Sequence, residues 1–251
     1  MTPGGGDGEE GPRTTLGAVC RPPLAPARLR SAARAADDSG LEELWLWEDC
    51  FLEGGISTGA AARAGTERVR VGIGLLPVPL RNVAVTAMEA ASLHRMFPGR
   101  PLRGVGHGVQ DWMGQVGARA ESPVTLLREY LVALRALLGG ERVTTEGRYG
   151  RRRDGALDWP PDGPVEVLAG APGPRTVRLT GEAADGTGLT AETPPEGVRR
   201  ARRLIEEGRT AAGRAGTSHK VVVYLLAATG SGASERLRAE LPAEGAAAGA
   251  A

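Results

Sequence analysis

Val71-Gly72-Ile73-Gly74-Leu75-Leu76 is an apolar run without one charged residue, preceded by Arg70 and closed by Pro77 and Pro79. A run this short, bounded by proline and charge, reads as a strand buried on both faces, as in a parallel sheet covered by helices. Working outward, similar runs recur at residues 16–20, 43–47, 102–107, 165–169, 186–189 and 220–227, so that with 69–76 about seven strands are visible. Longer segments of helical periodicity separate them. The clearest starts at Ser122-Pro123 as cap and first helical residue, carries Leu126, Leu127, Tyr130, Leu131, Leu134 and Leu137 as an apolar stripe, and stops at Gly139-Gly140. A second is expected over 82–97, with Val85, Met88, Ala91 or Ser92 and Met96 near one face. Residues 142–161 are basic and turn-rich, and are expected to form a hairpin or loop inserted before the fifth strand.

Strand alternating with helix defines the α/β class, and a chain of 251 residues suits one barrel better than two small domains. The expected fold is a TIM-like (β/α)8 barrel shortened at its C-terminus. Beyond Gly230 there is one helical pattern, over 233–241, then a Gly/Ala run, and no eighth strand is visible. The barrel domain is placed at 14–241, with disordered tails at 1–13 and 242–251.

Thirty-one basic and 30 acidic side chains are interspersed, for a net charge of +1, which offers no footprint for nucleic acid or an anionic membrane. No stretch reaches about 18 consecutive apolar residues, as a membrane span requires. Cys20 and Cys50 form no C-x-x-C pair, so a reducing cytoplasm and no structural zinc are expected.

In a parallel barrel the chemistry sits at the C-terminal ends of the strands. The second strand ends in Trp47-Glu48-Asp49-Cys50-Phe51, where either acid could transfer a proton or hold a ring by hydrogen bonding. Cys50 has no sequence neighbour to activate it and reads as an inert thiol. Trp45 and Trp47 alternate with Leu44 and Leu46, which points to at least one indole packed between sheet and helices. Gly74, Gly106 and Gly108 either leave room for a flat ring or serve close packing. His107 is a proton-exchanging group or a structural histidine. The fifth strand runs into Gly170-Ala171-Pro172-Gly173-Pro174-Arg175, a turn that aims backbone N–H groups and a helix N-terminus at an anion such as a cofactor phosphate, with Arg175 adding charge. The same loop is also an ordinary strand-to-helix turn. Arg199, Arg200, Arg202 and Arg203 read as a solvated helix face.

From residue 16 to 227 the sequence resembles the luciferase-like monooxygenase family, especially its F420-dependent reductases and dehydrogenases. The landmarks are residues 41–49 (LEELWLWED), 66–75 (TERVRVGIGL), 100–108 (RPLRGVGHG), 126–138 (LLREYLVALRALL) and 181–186 (GEAADG). The resemblance implies FMN or coenzyme F420 across the barrel mouth. Asp49, Gly74, Leu75, His107 and Gly108 would border the ring, Gly170, Ala171, Gly173, Pro174 and Arg175 would hold the phosphate, and Asp49 and His107 would be the catalytic pair. It also implies a non-prolyl cis peptide at Gly74-Leu75, a small organic substrate and a homodimer formed through barrel helices. The chain departs from the sugar-phosphate dehydrogenases of that branch. Cys50 stands for their catalytic histidine, Val109 for their glutamate, and Trp112 near their ring-contacting asparagine, which argues against glucose-6-phosphate. The segment 110–115 would line a less polar substrate. The alternatives are a flavin-binding protein without catalysis and an open-seamed, inactive barrel.

Overall fold

The run at 71–76 lies in the third of seven parallel strands in a computed structural model that describes residues 14–21, 24–191 and 193–240. In chain order these are β1 (Gly17–Cys20), β2 (Glu43–Leu46), β3 (Arg70–Pro77) and β4 (Pro101–Gly106). After an antiparallel hairpin of β5 (Val143–Glu146) and β6 (Arg151–Gly155) come β7 (Leu168–Gly170), β8 (Gly186–Leu189) and β9 (Lys220–Val223). The sheet runs β1-β2-β3-β4-β7-β8-β9. The helices are α1 (Pro26–Asp38), α2 (Gly55–Ala64), α3 (Val83–Met96), α4 (Gln110–Gln115), α5 (Pro123–Leu138), α6 (Pro174–Ala183), α7 (Pro195–Ala211) and α8 (Ala233–Glu240). The proposed tails, 1–13 and 242–251, lie outside the described residues.

Strand periodicity sorts the side chains into two layers. On the outer face, Leu44, Leu46 and Val71 pack with Leu29 and Ala33 of α1 and Ala62 of α2. Ile73, Leu76, Val105 and Ala169 pack with Ala87 and Ala90 of α3 and Leu127, Leu131 and Leu134 of α5. The inner face holds Trp45 and Leu168 with Val19, Val222 and Tyr224. Trp45 therefore fills the barrel interior, where a sequence reading had put an indole under the helices. Both faces of β2 are apolar, so alternation alone does not say which one points outward.

The second helix appears as expected, with Asn82 as its cap, its side chain accepting from the Ala84 amide at 2.9 Å. Its inward face is the opposite one from that expected. Val85, Met88 and Met96 are 49%, 58% and 60% exposed, whereas Val83, Thr86, Ala87, Ala90, Ala91 and Leu93 are buried. Small residues let α3 approach the sheet and α5, and the larger apolar side chains are left outside.

No strand pairing joins β1 to β9 among the described residues, so the sheet curls but stays open at that seam. A buried polar knot crosses the interior nearby. The Glu43 carboxylate accepts from Lys220 Nζ at 2.6 Å, Arg70 Nη2 at 2.5 Å and Trp45 Nε1 at 3.0 Å, tying β9 to β2. At the seam itself Arg21 pairs with Glu240 of α8 at 3.2 Å, but both side chains are half-exposed and such a pair contributes at most about 1 kcal/mol. The arginines at 199, 200, 202 and 203 are exposed on α7, the solvated face expected of them.

A second polar chain runs from Thr180 of α6 through Thr187 of β8 to His219. Burial, then Arg209 and Arg214, push His219 down to about 4, while Asp185 pulls it up. His94 is pushed to about 4 by burial and by Arg103 and Arg63. A histidine held below its unfolded value of about 6.5 leaves the unfolded chain with more bound protons at intermediate pH, so folding is favoured above that value. Stability is then expected to fall on acidification from pH about 6.5 to about 4, and His219→Gln to flatten that slope. Thermal melts across this range check it. An unchanged slope in the variant would count against the assignment.

Candidate active site at the strand ends

The two acids after β2 have different surroundings. Glu48 accepts from the Gly55 amide at the start of α2 (2.6 Å) and from Arg81 Nε (2.9 Å) and Nη2 (2.6 Å), and Arg81 also bonds Glu89 of α3. It is a structural bracket between the β2 loop, α2 and α3. Asp49 has no hydrogen-bond partner for its carboxylate among the described residues. It borders a groove with Phe51, Leu80, Val85 and Val116, and burial, then Glu53, push its carboxyl above the ordinary range. Of the two acids, Asp49 is thus the one free to meet a ligand in the groove. Cys50 is a free, half-buried thiol raised by desolvation and by Asp49 and Glu48, which agrees with an inert role.

β3 carries an irregularity at the mouth. Ile73 pairs with Arg103 and Leu76 with Val105, so three steps on β3 match two on β4, and the extra residue lies at Gly74-Leu75. The peptide between these two is cis, at the place the resemblance implied. Because of the added residue, Leu75 points inward as Gly74 does, and Leu76 returns to the outer core.

The space above the glycines is filled. A Cβ on Gly74 would strike the Tyr224 hydroxyl and the Trp45 ring, and one on Gly106 or Gly170 would strike the Leu75 side chain. Gly108 has φ +68°, a conformation that favours glycine, with Pro77 and Met113 against it. Close packing, rather than open room for a ring, explains these glycines; the packed groups are interior side chains.

Tyr224, just beyond β9, was not singled out by sequence reasoning. Its hydroxyl donates to the Gly74 carbonyl at 3.3 Å, and its ring stands edge-on to Trp45 (6.3 Å) and Trp47 (5.5 Å). Burial pushes its phenol up to about 12. The rule that strand ends carry chemistry, applied to the last strand as to the earlier ones, would have found it.

His107 follows β4. Its Nε2 lies 3.0 Å from the Thr176 hydroxyl of α6, which orients the ring toward the start of that helix. Burial lowers its pKa, opposed by the backbone of Pro123. No hydrogen bond joins His107 to Asp49 among the described residues; they stand at the ends of β4 and β2, on either side of β3.

The loop after β7 has two parts. The Ala171 amide is engaged by Gly188 of β8 at 3.0 Å and belongs to the sheet. Gly173 caps α6 without a side-chain bond, and the first intrahelical bond runs from the Val177 amide to the Gly173 carbonyl, so the Arg175 and Thr176 amides have no acceptor within the helix. A Cβ on Gly173 would meet nothing within 4 Å, and Pro174 and Arg175 are exposed. This open, uncapped, cationic helix start fits a phosphate.

The family model of luciferase-like monooxygenases matches residues 5–247. The chain belongs to the luciferase-like monooxygenase family. It is 30% identical over 195 residues to a 5,10-methylenetetrahydromethanopterin reductase of Methanolobus tindarius, across 76% of this chain and 58% of the relative. It is 37% identical over 130 residues to an F420-dependent glucose-6-phosphate dehydrogenase of Beutenbergia cavernae, across 50% of this chain and 39% of the relative. The fold matches that of the coenzyme F420 dependent tetrahydromethanopterin reductase from Methanopyrus kandleri with a TM-score of 0.74 at 24% identity, over 84% of this chain and 65% of that one. The match thus spans less than two thirds of each relative's length. No helix among the described residues is long and apolar enough to cross a membrane.

Proposed function

We propose that this luciferase-like protein is a two-electron oxidoreductase that binds coenzyme F420 or FMN at the mouth of its curled sheet and acts on a small organic substrate. The family match over residues 5–247 carries this reading, and the F420-dependent dehydrogenase and reductase it resembles favour the deazaflavin. Either cofactor, when bound, supplies a ring that takes up or gives a hydride.

The chain's own residues do the rest. The amides of Arg175 and Thr176 and the Arg175 guanidinium hold the phosphate, with Gly170, Gly173 and Pro174 shaping the loop. Leu75, Gly74, Gly108 and His107 border the mouth, and Trp45, Trp47 and Tyr224 floor it and exclude water. Asp49, its carboxyl pushed up by burial, exchanges a proton beside a groove whose apolar lining selects a substrate of low polarity. His107, fixed to Thr176 through Nε2, borders the substrate with its ring. Pairing of two copies and residence in the cytoplasm complete the proposal.

Arg175→Ala is expected to weaken cofactor binding about tenfold, since a charge-assisted hydrogen bond contributes about 1.5–3 kcal/mol and exposure takes off part of that. Fluorescence titration of both forms checks it. Equal affinities would remove Arg175 from the phosphate site.

A further inference from the structure

Away from the mouth, the layer between β3, β4, α2 and α3 holds two arginines of unusual surroundings. Arg63, at the end of α2, is 1% exposed, and Arg103, on β4, is 3% exposed. Arg63 donates from Nη2 to the Val71 carbonyl of β3, and its Nη1 lies against Gly59 and Ile73. Arg103 is the register partner of Ile73 and points outward, donating from Nη2 to the Ala90 carbonyl of α3 at 3.3 Å. The Arg63 charge acts on Arg103, so the two guanidiniums are neighbours in this layer.

Three of their N–H-bearing nitrogens, Arg63 Nε and Nη1 and Arg103 Nη1, are buried without a hydrogen-bond partner. Buried polar groups are normally paired, and a buried charge normally has a counter-charge. Among the described residues no carboxylate forms an ion pair with Arg63, Arg100 or Arg103, and those two buried guanidiniums feel each other and Arg100 instead. Arg100 is occupied: it donates to the carbonyls of Arg63, Thr66 and Val69 and to the Thr66 hydroxyl. His94 of α3, which faces the cluster, is held neutral and adds no negative charge. Of the six buried side-chain nitrogens without a partner among the described residues, three belong to these two arginines, and no carboxylate pairs with either, so this cationic pair stands out as a demand for an anion.

We infer that Arg63 and Arg103 together bind a small monovalent inorganic anion of halide size, a structural site independent of the mouth. The class follows from the setting. Near-complete burial and two guanidiniums with three free donors suit one compact, easily dehydrated charge, and do not suit a sulfate, a phosphate or a carboxylic acid of any length.

The test uses the full chain in sodium bromide, sodium chloride or sodium gluconate at constant ionic strength. Crystals grown in bromide are expected to show an anomalous peak between the two guanidiniums. Above the dissociation constant, each tenfold rise in chloride in place of gluconate is expected to raise the melting temperature by about 3–5 °C. Arg103→Leu is expected to lose that dependence. An ordered water or featureless density between the guanidiniums in bromide crystals overturns the site, and so does a chloride slope that survives in Arg103→Leu. If that variant does not fold, the bromide map of the unaltered protein decides alone.

Discussion

Gly208→Ala is expected to lower the melting temperature by about 4–8 °C, and Gly208→Val by more. Gly208 lies on α7 where that helix crosses α6 at backbone contact. A Cβ there would fall within the radius of the Arg178 carbonyl oxygen, with the Arg178 carbonyl carbon and the Glu182 amide at 3.1 Å. Gly181, on α6, is its counterpart, with the Ile205 carbonyl over it. These obstacles are backbone atoms of the facing helix, so no rotamer change relieves them. Overpacking of this kind costs about 3 kcal/mol at the upper end, and alanine's better helix propensity returns about 1 kcal/mol, so a net loss of about 2 kcal/mol remains. At roughly 2–4 °C per kcal/mol for a chain of this size, the shift follows. Gly163, where a Cβ would meet nothing within 4 Å, is the control, and Gly163→Ala is expected to change stability by less than about 0.5 kcal/mol. Melts of the three variants side by side check this. A stable Gly208→Ala would mean that α6 and α7 are farther apart than described.

Asp49→Asn and Glu48→Gln, one residue apart, are expected to fail in different ways. Asp49→Asn keeps the shape of a side chain that bonds nothing among the described residues and removes its proton exchange, so turnover is expected to fall about 100-fold or more with the melting temperature unchanged or raised. The raised pKa of Asp49 also predicts a limb in the pH–rate profile above the ordinary carboxylate value, and loss of that limb in the variant. Glu48→Gln leaves the mostly buried Arg81 short of a counter-charge, and breaking such a pair costs about 3 kcal/mol. Its main effect is expected on stability. Steady-state kinetics beside thermal melts separate the two, and similar profiles for both variants would contradict the division of roles.

The strand ladder was largely legible. The run at 186–189 is β8 residue for residue, and the segment from Pro123 to Leu138 is α5 with both ends as expected, because proline and paired glycines mark them. Residues 142–161 hold the β5–β6 hairpin, as their turn chemistry suggested. What escaped was orientation. Alternation in β2 separates Trp45 from Leu46 but does not say which side is the interior, and in α3 the apolar stripe of Val85, Met88 and Met96 outweighed the smaller Ala87, Ala90 and Ala91 that do the packing. The candidate residues read from the sequence, Asp49, His107 and the Gly173 cap, do lie at strand ends and loops. The interior beneath them was not legible, because Tyr224 arrives from 150 residues away to cover Gly74. Nothing in the sequence marks Arg63 and Arg103 as buried, and only packing shows it.

The central claim is that this chain forms a competent cofactor site at the mouth. It is tested most directly by titrating the purified protein with F420 and with FMN, following cofactor fluorescence and the melting temperature together. The account predicts saturable binding of at least one, F420 ahead of FMN, with a rise in melting temperature as the cofactor saturates the site. A protein that unfolds cooperatively yet binds neither cofactor would contradict it.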